Sequence, residues 1–245
     1  GSTTLSGVVN DGASSFALTK LGSGSLTLSN ANTYDGGTTI SAGTLNLGHL
    51  TGLGTGTATV SSGALLNIAS SLGTITNALN LTGSGSGTGA IVNDGTNTFS
   101  AGVTLSGDTS LGGTGSTTLS GVVTDGASSF ALTKLGSGSL TLSNANTYDG
   151  GTTISVGTVN LGNVSGLGTS TVTVSSGALL NISSSLGTIA NALSLTGTGS
   201  GSGALVAAGT NTMSGAVTLA GNTTIGVTGG SDSLTLSNAV GETGG

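Results

Sequence analysis

The sequence contains no cysteine, no proline and no tryptophan, and only two tyrosines and three phenylalanines. Without cysteine, neither a disulfide nor a thiolate metal site is possible. Its only side-chain cations besides one histidine are Lys20 and Lys134. A nucleic acid would therefore meet no basic surface, and we expect no nucleic-acid partner.

Long apolar segments are also missing. No apolar run approaches the roughly 18 residues of a membrane span, and no basic stretch followed by an apolar core opens the chain. We therefore expect this segment to insert into no membrane and to carry no leader peptide of its own. If it is exported, the signal and the anchor lie elsewhere in its parent protein.

In place of the missing residue types, the chain is rich in glycine, serine, threonine and small aliphatic residues. The chain has 49 glycines in 245 residues, 4% charged residues, a net charge of -6 and a mean hydropathy of +0.36. Disordered chains usually combine low hydrophobicity with high net charge, so this composition predicts a folded protein. Short alternations such as Leu26-Thr27-Leu28, separated by Gly, Asn and Asp, are typical of brief strands between tight turns.

The chain contains a long internal duplication. Residues 3–116 align with residues 117–230 at a constant offset of 114 without a gap. Replacements such as Leu45 by Val159 and Phe99 by Met213 keep the apolar character of the position, as a packed interior requires. Residues 231–245 open a further, more divergent repeat, so we expect 1–245 to be one continuous repeat segment.

A shorter period runs inside each copy, with apolar residues recurring about every 19 to 24 positions. Two such series are Ile40, Val60, Leu81, Leu105 and Leu26, Leu45, Leu66. Periods of this length are typical of solenoids. The sequence therefore predicts an all-β parallel β-helix of ten to twelve coils, about 50 to 60 Å long at the usual strand spacing. We also expect each copy to hold a whole number of coils, five or six, so that the second copy continues the first in register.

Tandem β-sandwich domains are the alternative, because 114 residues is close to the size of an immunoglobulin-like module. A sandwich fills a core about 10 Å thick with large side chains. Because aromatic residues are scarce, the sequence is less suited to a sandwich core than to a thin solenoid interior of Leu, Ile, Val and Ala.

The stretch from Leu18 to Gly48 returns almost unchanged at Leu132 to Gly162. In the first copy it carries Leu18, Lys20, Gly22, Gly24, Leu26, Leu28, Asn32, Tyr34, Gly37, Thr38, Ile40, Gly43 and Leu45. This pattern resembles the autotransporter-associated β-strand repeat, also called the passenger-associated transport repeat, of bacterial surface proteins. The resemblance implies a passenger segment that is exported across the outer membrane and folds as a β-helix at the cell surface. Asn30 and Leu21 depart from the family pattern, as do their equivalents in the second copy.

Acidic residues are the first candidates for chemistry. Five of the seven aspartates precede glycine, a turn dipeptide: Asp11, Asp35, Asp94, Asp125 and Asp149. The chain lacks the paired acids that a glycosidase needs and the nonapeptide repeat that binds calcium. We therefore predict no catalytic, cofactor-binding or metal-binding residues, and a protein that is not an enzyme.

His49 and a glycine-rich run are further candidates. His49 is replaced by Asn163 in the second copy, so we interpret it as a solvated loop residue rather than part of a catalytic triad. The run Gly83 to Gly89 lacks the lysine and the following helix of a phosphate loop. We expect a flexible loop between strands there.

The two lysines recur beside glycine-rich turns. We interpret Lys20 and Lys134 as solubilising surface charges, with pairing to Asp35 and Asp149 as the alternative. An exposed pair of this kind would contribute only about 0 to 1 kcal/mol.

Tyrosines and threonines are candidates for ligand contacts. We expect Tyr34 and Tyr148 to cover strand ends with their hydroxyls in water, and stacking on a sugar is the alternative. The triplets at 57–59 and 171–173 resemble ice-binding faces, but such a face needs the triplet in every coil and here it occurs once per copy.

These observations favour a structural stalk of a secreted bacterial surface protein that supports export, display and adhesion or self-association. Low surface charge and a chain that stops within a repeat, at residues 242–245, predict end-to-end or lateral association. Glycans of a host or cell surface are further candidate partners. The alternative is a carbohydrate- or ice-binding solenoid platform.

Overall fold

The computed structural model describes residues 1–243. Gly244 and Gly245, which we assigned to the last divergent repeat, lie outside the described residues. The strands, in chain order, are β1 Ser2–Leu5, β2 Leu18–Lys20, β3 Ser25–Leu28, β4 Thr38–Ile40, β5 Thr44–Leu47, β6 Ala58–Val60, β7 Leu65–Ile68, β8 Gly73–Ile75, β9 Leu79–Gly83, β10 Ile91–Asn93, β11 Thr96–Phe99, β12 Val103–Gly112, β13 Ser116–Leu119, β14 Val123–Thr124, β15 Leu132–Lys134, β16 Ser139–Leu142, β17 Thr152–Ile154, β18 Thr158–Leu161, β19 Val172–Val174, β20 Leu179–Ile182, β21 Gly187–Ile189, β22 Leu193–Gly197, β23 Leu205–Ala207, β24 Thr210–Met213, β25 Val217–Thr223, β26 Ile225–Val227, β27 Ser233–Leu236 and β28 Val240–Glu242. Two short 3₁₀ turns, Gly85–Gly87 and Gly199–Gly201, interrupt this pattern.

The strands stack in ladders along the sides of a three-sided rod. Side A carries β1, β3, β5, β7, β10, the end of β12, β15, β17, β19, β22, β25 and β28. Side B carries β8, β11, β13, β16, β18, β20, β23 and β26. Side C carries β2, β4, β6, β9, the start of β12 and β14, and higher up β21, β24 and β27.

The chain is a parallel β-solenoid of about 11 turns with about 21 residues per coil. Within residues 1–243, every strand pairing is parallel. The predicted β-helix is thus confirmed. The alternative of tandem sandwiches is wrong, because sandwich sheets are built from antiparallel strands.

Both predicted apolar series form the interior. Ile40 pairs with Val60, Val60 with Leu81, and Leu81 with Leu105, each one coil further along side C. On side A the series Leu26, Leu45, Leu66 is in register in the same way. In strands such as β6 and β19 the two apolar end residues point inward and the threonine between them points outward, as β geometry dictates. The result is a mainly aliphatic core that is buried from Leu26 to Val217, with partly buried residues such as Leu5 and Leu236 at its two ends.

Glycine closes the corners where one coil lies directly on the next. At Gly43 the backbone has φ of +68°, and a Cβ atom would lie 2.4 Å from the carbonyl oxygen of Gly24 in the coil below. Only glycine tolerates both conditions without a shift of the backbone. The high glycine content therefore supports close stacking of coils rather than flexibility.

The expectation that each copy holds a whole number of coils is wrong. Ascending side A from Leu26, the register passes Leu45, Leu66, Ile91 and Leu111 and reaches Lys134 after five coils. Leu140, the equivalent of Leu26 in the second copy, lies beyond Lys134 on side B, stacked on Thr117. Each 114-residue copy thus spans five coils plus one further side.

Strand β12 makes this continuation possible. Its first residues pair with β9 and β14 on side C, and its last residues pair with β10 and β15 on side A. Its register shifts between Leu105 and Thr109, where the strand turns the corner. Because the three sides are built alike, the second copy continues the stack after a rotation by one side.

Candidate functional site

The side chains of catalysis and metal binding do not converge in the part of the chain that the structure describes. Among residues 1–243, no three His, Cys, Asp or Glu side chains lie close enough together to hold a metal ion. Over the same residues, no helix is long and apolar enough to cross a membrane. Two other features are of interest. Buried lysine, tyrosine and asparagine side chains, here called anchors, make hydrogen bonds inside the corners, and an open groove runs along one corner.

The ammonium groups of Lys20 and Lys134 are buried inside the corners. Lys20 is 7% exposed, and its Nζ donates hydrogen bonds to the carbonyl oxygens of Leu21, Gly22 and Ala42 at 2.7 to 3.0 Å. Lys134 is 3% exposed and donates in the same way to Leu135 and Gly136, both at 2.6 Å. The prediction that these lysines are surface charges is wrong.

The alternative pairing with Asp35 and Asp149 is not what the ammonium groups do either, since their acceptors are backbone carbonyls. The reason is register: Lys20 pairs with Ile40 and so occupies an inward position. The ammonium reaches the end of the core and satisfies carbonyls at the turn that follows. Burial lowers the pKa of Lys134 to about 8, because desolvation penalises the charged form.

The two tyrosines are also interior residues. Tyr34 is 2% exposed, and its hydroxyl lies 2.6 Å from Oγ1 of Thr38, which donates to the carbonyl oxygen of Leu53 at 2.8 Å. Tyr148 repeats this arrangement with Thr152 in the second copy. Burial raises the pKa of both phenols. The prediction of a hydroxyl in water is wrong, and a ring covered by protein has no face free for stacking on a sugar.

Asparagine anchors are the residues that sequence reasoning missed. Asn32 is 3% exposed; its Oδ1 accepts from the backbone N–H of Val9 in the coil below, and its Nδ2 donates to the carbonyl of Gly52 in the coil above. Asn146 ties three coils together in the same way. Their retention in both copies next to a glycine-rich segment was the available signal, because an unpaired buried amide is costly.

The aspartates fulfil the predicted turn role only in part. Asp11 begins a turn whose Gly12 has a φ of +67°, and its Oδ2 accepts from the backbone N–H groups of Phe16 and Asp35. These hydrogen bonds lower the pKa of Asp11. Asp125 repeats this clamp in the second copy.

The other three Asp-Gly glycines serve close packing instead, which corrects the turn interpretation there. Their φ angles are not positive, but a Cβ at Gly36, Gly95 or Gly150 would lie 2.2 to 2.5 Å from the backbone of the neighbouring coil. All five sites have the same Asp-Gly dipeptide. At these three, glycine is needed because the coils stack closely there and not because of the turn type.

His49 is a half-buried bend residue with a structural contact. Its Nδ1 lies 3.2 Å from the backbone N of Thr51, which donates to it. In the second copy, Oδ1 of Asn163 accepts from the backbone N–H of Ser165 at 2.9 Å. Histidine and asparagine therefore fill one role, local acceptance of an N–H two residues ahead, which explains the replacement.

Threonines form single rows on the outside of the rod. On side C, Thr19, Thr39 and Thr59 stack in register with Asn80, Thr104 and Thr124 above them. The row is one residue wide, because Thr57, the first threonine of the triplet at 57–59, lies over Gly37 in the coil below. The row is a hydroxyl stripe rather than a two-row face.

The glycine-rich run Gly83 to Gly89 is a compact turn. Gly87 and Gly89 both donate backbone hydrogen bonds to the carbonyl oxygen of Ser84 at 2.8 Å. Ser86 has a φ of +61°, a conformation shared by Ser200 in the second copy and by no other non-glycine residue among residues 1–243. This turn forms one wall of a corner groove of about 500 Å³ along sides C and A.

Comparison with known proteins finds a family match in the first half of each copy. The family model described as passenger-associated-transport-repeat matches residues 18–47 and 132–161. These ranges contain both lysines, both tyrosines, Asn32 and Asn146. No curated protein and no solved structure matches the chain. The resemblance inferred from the sequence is therefore confirmed at these two stretches of the β-solenoid.

Proposed function

We propose that this segment is a structural rod in the passenger of a secreted bacterial surface protein, where it provides length and display rather than catalysis. One observation carries the proposal: a buried, mainly aliphatic core runs through both stretches that match the passenger-associated-transport-repeat model. A rod of about 11 coils at the usual strand spacing of about 4.8 Å per coil is roughly 50 Å long. Export and an extracellular location follow from what the repeat family implies.

The buried anchors support a load-bearing role. Asn32 and Asn146 each hydrogen-bond to the coils on both sides, and Lys20 reaches a carbonyl of the next coil. The threonines that contact the two tyrosines also donate to a carbonyl of the next coil. No buried side-chain nitrogen or oxygen in the described part lacks a partner. An enzyme would instead place such groups in an open cleft. These repeated contacts resist shear between coils without any disulfide.

The test is a change in length. Deletion of residues 3–116 removes one copy but joins equivalent positions, so the remaining rod should fold and be shorter by five coils and one side, roughly 25 Å at the usual strand spacing. Small-angle scattering of the isolated segment measures this directly. A compact particle with no preferred axis, or a shortened variant with unchanged maximum dimension, would refute the rod.

Self-association is a second proposed role, and the surface charge favours it. Both lysines are buried, so the charged side chains on the outside are acidic and few. Repulsion between copies is weak and should be screened by salt. We expect concentration-dependent association that strengthens with sodium chloride. Light scattering that shows monomers at every concentration and ionic strength would contradict it.

A further inference from the structure

The corner groove beside the glycine-rich turn differs between the two copies in a way that the structural role does not explain. In the first copy, successive coils contribute Ser23, Ala42 with Gly43, Ser62 with Gly63, and Ser86. These residues run along the rod over three coil spacings, about 14 Å at the usual strand distance. A volume of about 500 Å³ is within the range of small-molecule sites.

The groove presents uncharged hydroxyl groups. Ser23, Ser62 and Ser86 are exposed, and in the described part of the chain their hydroxyls make no hydrogen bond to protein. Half-buried Leu65 and Ala42 add an aliphatic patch between them. The nearest cation, Lys20, lies behind the groove with its Nζ bound to three carbonyl oxygens, so it presents no free donor to an anion.

The equivalent corner of the second copy has nearly the same residues, but one side chain there is larger. Ala42 is replaced by Val156, which is 47% exposed, and Thr88 is replaced by Ser202. The hydroxyl of Ser200, the equivalent of Ser86, donates across the groove to the carbonyl oxygen of Gly177 at 3.3 Å. The hydroxyl that is free in the first copy is therefore engaged in the second.

We propose that the first-copy groove is a binding site for an uncharged oligosaccharide that lies along the rod axis. Hydroxyl groups that both donate and accept suit a polyol, and the absence of exposed charge disfavours a nucleotide or an acidic glycan. A peptide strand would need an unpaired sheet edge, which this corner does not offer. Because no aromatic ring lines the groove, the affinity is weak, about millimolar.

The experiment is a titration of the full 245-residue chain, labelled with ¹⁵N, followed by backbone amide shifts. The probes are cellotetraose, maltohexaose and chitotetraose, each at about 10 mM to saturate a site of about millimolar affinity, with tetragalacturonate as the anionic probe. At least one neutral probe should shift the amides of residues 42–44 and 62–63. The equivalent amides at 156–158 and 176–177 should stay in place.

The chain offers its own matched controls. Ala42→Val copies the second groove into the first, so the variant should fold and lose at least tenfold in affinity. Val156→Ala copies the first groove into the second and should produce new shifts at 156–158. Thr39→Val, on the outer face of side C and outside the groove, should leave binding unchanged.

Three results would overturn the site. The first is no shift at 42–44 with any of the three neutral probes in the wild-type chain. The second is equal binding by the Ala42→Val variant, which would place the ligand elsewhere. The third is tighter binding of tetragalacturonate, which would make the ligand class wrong. The structural role is tested separately, by the small-angle scattering measurement of rod length. A negative titration would therefore overturn the binding site and leave the structural role standing.

Discussion

The first coil of each copy has almost the same sequence but different surroundings. Phe16 is 65% exposed and Leu21 is 70% exposed, whereas their equivalents Phe130 and Leu135 are half-buried. The difference is the coil below: residues 103–113 cover the second copy, and the described structure has nothing in that place beneath the first. In a one-dimensional stack, a residue's stability thus depends on its neighbours as much as on its own sequence.

The copies also differ in the direction they face. Leu26 lies on side A and its equivalent Leu140 on side B. Any surface feature repeated in both copies therefore points in two directions from the rod. Matched substitutions in the two copies separate what a residue does by itself from what the adjacent coil adds.

The largest expected effect is a charge buried in the core. Leu140→Asp should cost about 4 kcal/mol or more, because Leu140 is fully buried between coils on both sides and an unpaired carboxylate is costly there. Leu26→Asp should cost less, because Leu26 is 9% exposed and the coil beneath it is itself exposed.

Hydrogen exchange distinguishes the two variants. Leu26→Asp should raise exchange in its own and adjacent coils while residues 139–213 stay protected, whereas Leu140→Asp should raise exchange on both sides of the middle of the rod. A uniform rise along the whole chain in either variant would show that the rod unfolds as one unit and that the neighbour model fails.

The second prediction uses a pair of glycines with the same backbone angle. Gly22 and Gly136 both have a φ of +71°, but a Cβ at Gly22 would meet nothing within 4 Å, while one at Gly136 would lie 2.3 Å from the carbonyl oxygen of Gly113. Gly22→Ala should cost about 1 kcal/mol from backbone strain alone. Gly136→Ala should cost roughly 3 kcal/mol, because strain and a clash between coils combine.

Chemical denaturation of both variants measures the difference directly. Equal losses in the free energy of unfolding would mean that the backbone of the coil below Gly136 shifts to accept the Cβ at no cost. Close stacking would then not be the reason for glycine at this position. Gly63→Ala is a suitable control, since its Cβ also meets nothing and its φ is +79°.

Sequence reasoning reached the fold because the fold depends on local patterns. Alternation within strands and the 20-residue spacing of Ile40 and Val60 together fix which residues point inward. The same spacing also places Lys20 on the Ile40 ladder, so its burial was open to prediction. The identity of its partners was not, because they are backbone carbonyls whose positions depend on how two coils meet.

The rotation of the second copy by one side of the rod could not be predicted from the sequence, for a different reason. Coil lengths vary between 19 and 25 residues along side A, so an average period cannot separate five coils from five coils and one side. Only the register of each strand pair settles it. The tyrosines were misplaced because their burial depends on glycines of the next coil, such as Gly54, whose Cβ would lie 2.8 Å from the Tyr34 ring.

The third prediction concerns pH. The pKa of Lys134 is lowered to about 8 in the folded chain, below its value in the unfolded chain of about 10.4. Between these two values the unfolded state binds more protons, so the free energy of unfolding should rise with pH from about 8 to about 10. We expect a gain of about 1 kcal/mol relative to Lys134→Met, smaller than the full shift implies because the carbonyl hydrogen bonds to the ammonium offset part of the cost of its desolvation.

Denaturation of the wild type and of Lys134→Met at several pH values tests this. Below pH 8 both states are protonated and the difference between the two proteins should be flat. A difference that falls between pH 8 and 10 would contradict the sign, and would mean that the carbonyl hydrogen bonds outweigh desolvation.

The smallest effect is expected where the two copies differ least. Tyr34 and Tyr148 are both covered by coils above and below, and each hydroxyl lies 2.6 Å from a threonine Oγ1. Tyr→Phe at either position removes one hydrogen bond while the threonine keeps its bond to a carbonyl, so each variant should lose about 1 kcal/mol. The two losses should be similar, because both side chains are almost fully buried and both hydroxyls have the same threonine contact. If Tyr148→Phe were clearly the more damaging, coverage beyond the adjacent coil would influence the core, and nearest neighbours alone would not account for the stability of the rod.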